Sequence, residues 1–211
     1  MEQILYIFFG WLLGLLGQPI GSRVEKYFKR KELKILIVSE LKGLVFRLVA
    51  LRHNILSHRG LLDNSSISWL KHNYEKCQPD CSPEMLGALD KLLEALPADL
   101  KALANYTKAP EGTSISLKTF TLPFTESVIN QLWILESEMQ ALILEVRSQV
   151  AILNEEIDNA RFYHRLSFDT NCMETNRQIV IDNLNMNYDE IQKKCKFIVD
   201  SIEKKRAEFD I

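Results

Sequence analysis

Residues 4–20 read Ile4-Leu-Tyr-Ile-Phe-Phe-Gly10-Trp-Leu-Leu-Gly14-Leu-Leu-Gly17-Gln18-Pro19-Ile20, and Arg23, Lys26, Lys29, Arg30, Lys31 and Lys34 follow at once. The run holds no charged side chain, and as a helix its 17 residues would be roughly 25 Å long, the lower limit for crossing a bilayer. A cleaved leader would carry its cations before the apolar run and a small-residue cleavage site after it. Here the cations come after, and Gly17-Gln-Pro-Ile-Gly21 makes a poor cleavage site. The pattern predicts a membrane anchor over residues 1–22 and a basic juxtamembrane collar over 23–34. Because basic flanks stay cytoplasmic, the N-terminus should face out and residues 35–211 should lie inside, at a cell inner membrane of bacterial type.

Four of the eight glycines fall in this region, at Gly10, Gly14, Gly17 and Gly21. Steps of four, three and four put them on one helical face, where two backbones can approach closely in lipid. Association with a second copy is therefore expected. Gln18 is the one strongly polar side chain in the run, placed to hydrogen-bond between helices or to line a narrow pore. Pro19 removes a backbone donor near the exit. The collar should reach lipid headgroups through Arg23, Lys26, Lys29, Arg30, Lys31 and Lys34, with Val24, Tyr27 and Phe28 at the interface.

The rest of a 211-residue chain suffices for one core, and 46% hydrophobic content is that of a folding chain. The net charge of −2 hides a local +4 in the collar, from six basic and two acidic side chains, so the remainder is acidic. That asymmetry points to an anionic lipid surface and away from nucleic acid, which would need cations spread over a docking face. Cys77, Cys81, Cys172 and Cys195 form no dense disulfide framework, and reduced thiols are expected.

Beyond the collar, Val38, Leu41, Val45, Leu48, Arg52, Ile55 and Arg59 recur at steps of three and four, the period of a buried helix seam. One long helix should run from the membrane to about Arg59 and stop at Gly60. Residues 60–82 read as a loop with a short helical turn near Ile67–Tyr74. Ser82-Pro83-Glu84 starts a helix that ends before Pro97, and a second piece covers 98–106. Residues 107–124 read as an extended crossover, with Ser/Thr alternation at 114–121 suited to a brief strand. Thr125 opens a helix whose seam runs Val128, Leu132, Leu135, Met139, Leu142, Val146, Leu153, Ile157, and after a turn at Asp169–Asn171 a last helix ends in Lys204-Lys-Arg206. The predicted fold is all-α: a transmembrane helix continuing into a cytoplasmic antiparallel bundle over 35–211.

Three side-chain groups invite chemical readings. Arg52-His-Asn-Ile-Leu-Ser-His58, with Asp63 beyond it, resembles the R-x4–6-H signature of the HEPN family of helical ribonucleases. The resemblance covers about twelve residues. It implies that Arg52 stabilises phosphate charge while His58 acts as general acid or base, the two usually paired across a dimer; here the motif sits earlier in the helical domain than is usual for the family. His72, Cys77 and Cys81 have the spacing of a partial zinc site, one ligand short of the usual four. Arg161-Phe-Tyr-His164-Arg165 suits a cationic helix end. No Walker loop, zinc-protease motif or nucleophile elbow is found, and no cofactor is implied.

The reading these observations favour is a non-enzymatic, single-span membrane effector of the stress or antiviral-defence type, whose oligomers perturb or permeabilise the inner membrane. Its partners would be the bilayer, further copies of the chain and a cytoplasmic protein. A membrane-tethered docking scaffold and a HEPN-like ribonuclease using Arg52 and His58 are the alternatives.

Overall fold

The computed structural model describes residues 2–77, 81–110, 113, 115–168 and 174–208, with the side chains of 2–9, 12–20, 174–175 and 207–208 outside that description. The chain is all-helical and organised on one element, α1, which runs unbroken for 57 residues from Glu2 to His58. Strongly helix-forming Leu, Lys, Glu and Arg fill it, and neither Pro19 nor Gly43 interrupts it. It closes in a Schellman motif: Leu61 N–H donates to Leu56 O at 2.8 Å and Gly60 N–H to Ser57 O at 3.0 Å. Gly60 supplies the left-handed residue this closure needs, at φ 64°. The predicted stop is where the sequence places it.

The bundle core is built by α1 from Leu33 onward, α6 (Ser137–Leu166) and α7 (Glu174–Glu208). At one end Val38 and Leu41 of α1 meet Met139 and Leu142 of α6 and Ile202 of α7. At the other, Arg59 pairs with Asp189, and Glu156 accepts a hydrogen bond from Asn187 at 2.9 Å. So α7 runs antiparallel to both α1 and α6. Leu44, Leu48, Ile55, Leu153, Ile157 and Ile191 are fully buried at the seams, each worth about 2 kcal/mol of apolar transfer.

The stretch expected as a loop is largely a helix. α2 spans Asn64–Lys76, started by a reciprocal capping box in which Asp63 accepts from Ser66 N–H at 2.7 Å while Asp63 N–H donates to Ser66 Oγ at 2.9 Å. Polar Asn64-Ser-Ser66 looks like a loop in sequence, yet here it caps the helix. α3 (Pro83–Glu94) and α4 (Pro97–Thr107) fall where expected, and Lys71 of α2 pairs with Asp90 of α3.

Residues 115–122 form no strand. They are an irregular strap held by side chains. Asn154 and the Phe120 backbone exchange two hydrogen bonds at 2.8 Å, and Arg161 donates to Leu117 O at 2.6 and 3.1 Å. The strap runs back from the far end of α1, where Ala109 N–H donates to His58 O at 2.8 Å, toward the collar end. The helix expected from Thr125 onward is also broken. α5 (Pro123–Ser127) and a 3-10 turn, Ile129–Ile134, precede α6, because Glu40 captures the N-terminus of α5. Leu132 and Leu135 stay buried through the break, so the hydrophobic register survives while the helix does not.

Among the described residues no helix is long and apolar enough to cross a membrane. Apart from Gly10 and Trp11, the side chains of the apolar run 4–20, with Gln18 among them, lie outside the described residues.

Candidate functional site

The site with the most distinctive surface chemistry is the end of the bundle from which α1 emerges. Burial on α1 begins at Leu33, and residues 21–29 are all exposed. Around this segment the collar cations are arranged in specific contacts. Lys29 Nζ lies 2.6 Å from Glu25, four residues back on the same face. Arg30 pairs with Glu136, at the start of α6. Lys26 Nζ lies 5.9 Å from the centre of the Trp133 ring, which the 3-10 turn holds beside it, 65% exposed. Two of the nearby acids, Glu25 and Glu136, are thus neutralised by collar cations. The sequence reading missed Trp133. In sequence it is one of the positions off the Val128–Leu132–Leu135 seam, and it is brought to the collar by long-range packing.

A second feature of this end is an uncovered face. Val24, Phe28 and Ile35 are 49%, 63% and 58% exposed. They continue the steps of three and four set by the four glycines, with Lys31 at the intervening step. Ile35 is two residues from the fully buried Ile37, about 200° around the helix, so this face points away from the bundle core. A Cβ added at Gly10 or Gly21 would meet nothing within 4 Å. Five turns further along α1, the same face is covered: Phe46 stands above Phe28 and His53 above Ile35, and both meet Tyr74 of α2, with ring centroids 6.1 and 6.0 Å away. The fold covers this face at the top of α1 and leaves it open at the bottom.

The structure separates Arg52 from His58. Six residues along a helix turn the two side chains about 120° apart. Arg52 is 7% exposed, its guanidinium 4.5 Å from the centre of the Trp69 ring, and Nε and Nη1 are buried without a hydrogen-bond partner. Burial lowers its affinity for the proton, opposed by the fields of Cys195, Asp200 and Asp63. Asp200 is committed elsewhere, accepting from Trp69 Nε1 at 2.8 Å and pairing with Lys196. Burial pushes the neighbouring Cys195 thiol up to about 12. His58 instead opens into a cleft of about 260 Å³ with Lys108, Thr113 and Tyr188, its Nε2 3.2 Å from Thr113 Oγ1. Burial, helped by Arg59, lowers its pKa.

Of the zinc-like residues, His72 is exposed, Cys77 half-buried and Cys81 buried. Among the described residues no group of three or more His, Cys, Asp or Glu side chains is placed to hold a metal ion. His164 and Arg165 do lie in the last turn of α6, as a cationic helix end would have them, while Arg161 serves the strap and Phe162 beside it is exposed.

Comparison with protein-family models, with curated proteins and with solved structures yields no match for this chain.

Proposed function

We propose that this chain is a single-span, membrane-anchored helical protein that assembles through α1 and acts as an effector perturbing the inner membrane. In this reading residues 1–22 cross the bilayer with the N-terminus outside, 23–34 lie at the headgroups and the bundle is cytoplasmic. The observation that carries it is the open face of α1. One register joins Gly10, Gly14, Gly17 and Gly21 to Val24, Phe28 and Ile35, on a helix that passes into the bundle without a break. Small residues favour close approach within lipid, and large apolar ones favour it in water, so a single parallel contact between copies satisfies both segments. The collar cations Arg23, Lys26, Lys29 and Arg30 lie off this seam, where they do not oppose it.

The test is the mass of the detergent-solubilised chain by light scattering, beside a Gly10/Gly14/Gly17→Leu variant. Wild type is expected to form a defined oligomer that the variant loses. Monomers in both would end this reading. Permeabilisation is measured separately, as loss of membrane potential in cells expressing an assembled chain; an unchanged potential removes that step.

A docking scaffold is the second reading. Ile179, Met186 and Phe197, 57%, 65% and 50% exposed, share one face of α7 with the Glu190–Lys193 ion pair between the last two, and give a cytoplasmic protein a mixed apolar and charged surface to bind. It predicts that an unrelated anchor in place of residues 1–22 preserves function. The ribonuclease reading draws less support, because Arg52 is turned into the core and away from the cleft of His58.

A further inference from the structure

We propose that the 3-10 turn Ile129–Ile134 is a second membrane contact, through which Trp133 and the collar seat the bundle on an anionic bilayer surface. This rests on the membrane-anchored reading and adds to it a fixed posture of the body.

The turn has a composition that the core does not explain. Leu132 is buried and holds the segment, while its neighbour Trp133 projects outward, 65% exposed. Indole is amphipathic, with an apolar body and one N–H donor, and it is enriched at the headgroup level of membranes. Its surroundings match that layer. Lys26 sits 5.9 Å from the ring centre, Tyr27 is exposed next to it on α1, and Arg30 joins α1 to Glu136 just after the 3-10 turn. Trp133 and Tyr27, with Lys26 and Arg30 beside them, are thus brought together from two segments about a hundred residues apart.

Depth is consistent with this. Lys26 stands six residues past Ile20, roughly 9 Å along the helix. Helical side chains lean toward the N-terminus, which carries the Lys26 amine and the Trp133 ring beside it closer to the bilayer. The headgroup layer is roughly 5–8 Å thick on each side. Trp133 thus lies at or just outside that layer when α1 is upright, and a tilt toward the turn carries it in. Charge selects the surface: the collar is +4 by sequence and still cationic with Glu136 counted against it, and an anionic leaflet attracts such a cluster where a neutral one does not.

The chain has three tryptophans, which gives the experiment its readout. In the full chain in lipid nanodiscs, a Trp11→Phe/Trp69→Phe variant reports on Trp133 alone, and a Trp69→Phe/Trp133→Phe variant on Trp11 alone. Circular dichroism checks that each keeps its helices. Discs of phosphatidylcholine, with and without phosphatidylglycerol, are made in two sets, with acyl chains brominated near the headgroup to read Trp133 or near the bilayer centre to read Trp11. The Trp133 reporter is expected to shift to the blue and lose intensity in phosphatidylglycerol discs, and to lose this response on Lys26→Glu. No response at Trp133 with quenching at Trp11 overturns the docked posture and leaves the anchor standing. No quenching at either overturns the anchor as well. An equal response in phosphatidylcholine discs overturns the choice of an anionic surface. A Trp133 that is blue-shifted in discs yet not quenched by brominated lipid overturns it in favour of a contact between copies.

Discussion

Glu40 shows how one side chain redirects the chain. From the middle of α1 its carboxylate accepts from Phe124 N–H at 2.8 Å, Thr125 N–H at 2.9 Å and Thr125 Oγ1 at 2.6 Å. Those two backbone donors belong to the first turn of α5, where intrahelical acceptors are missing and a negative charge is favoured. Thr125 is fully buried, so removing Glu40 would leave three donors without partners. Glu40→Ala is expected to lower unfolding stability by about 2–3 kcal/mol in urea denaturation. The sequence offered no sign of this contact, because its partners lie 84 and 85 residues away. The histidines give a residue-scale prediction of a different kind. Burial holds the pKa of His53 below its ordinary value, and burial with Arg59 does the same to His58. A depressed histidine means that the unfolded chain takes up a proton before the folded one does. Stability is therefore full above the unfolded value of about 6.5 and falls as pH drops below it. Thermal midpoints should decline between about pH 7 and pH 5, and His53→Gln should flatten the decline.

At the scale of elements, the regular features were legible and the exceptions had local causes. Three-and-four spacing revealed α1 and the α6 seam, and Gly60 marked the end of α1 because it alone accepts the left-handed turn there. That role is testable. At Gly60 a Cβ would sit 2.6 Å from Ala104 O and 3.0 Å from Lys108 Cβ, on top of the cost of φ 64°. Gly60→Ala should therefore cost about 2 kcal/mol or more in thermal or chemical denaturation, with loosening of the α1–α4 junction. α2 was read only as a short turn near Ile67–Tyr74 because its Asp-Asn-Ser-Ser start has the composition of a loop, and its capping box uses serine where glutamate is the usual signal. The start of α6 was placed too early because the apolar seam does not register which backbone hydrogen bonds are made. Val128, Leu132 and Leu135 keep their spacing whether the backbone is α-helical or 3-10. The strap was legible as an extended crossover, but its anchorage was not: Leu117, Phe120 and Leu122 enter the core, and Asn154 and Arg161 of α6 hold its backbone from 34 and 44 residues away.

For the molecule as a whole, the bundle was predictable from helix number and periodicity, while its surface was not. The collar cations were plain in the sequence, but their partners Trp133 and Glu136 come from a segment that returns to the collar only through the fold. Arg52 illustrates the converse. A motif spaced for chemistry puts its arginine against Trp69 and its histidine into a separate cleft, because a helix spreads six residues over most of two turns. The open face of α1 became visible only once α2 was seen to cover the same face higher up.

The unbroken run of α1 also sets a geometry for any pair of copies in a membrane. From Ile35, where the open face ends, to His58 the helix is roughly 35 Å long. Two such rods diverging beyond that face at about 20°, an ordinary angle for packed membrane helices, would stand roughly 12 Å farther apart at the far end than at Ile35. A thicker or thinner bilayer that altered the tilt by a few degrees would move the distal ends of the bodies by several ångströms. Bilayer thickness would thereby be read out as the distance between the Gly60 corners, with α1 as the pointer.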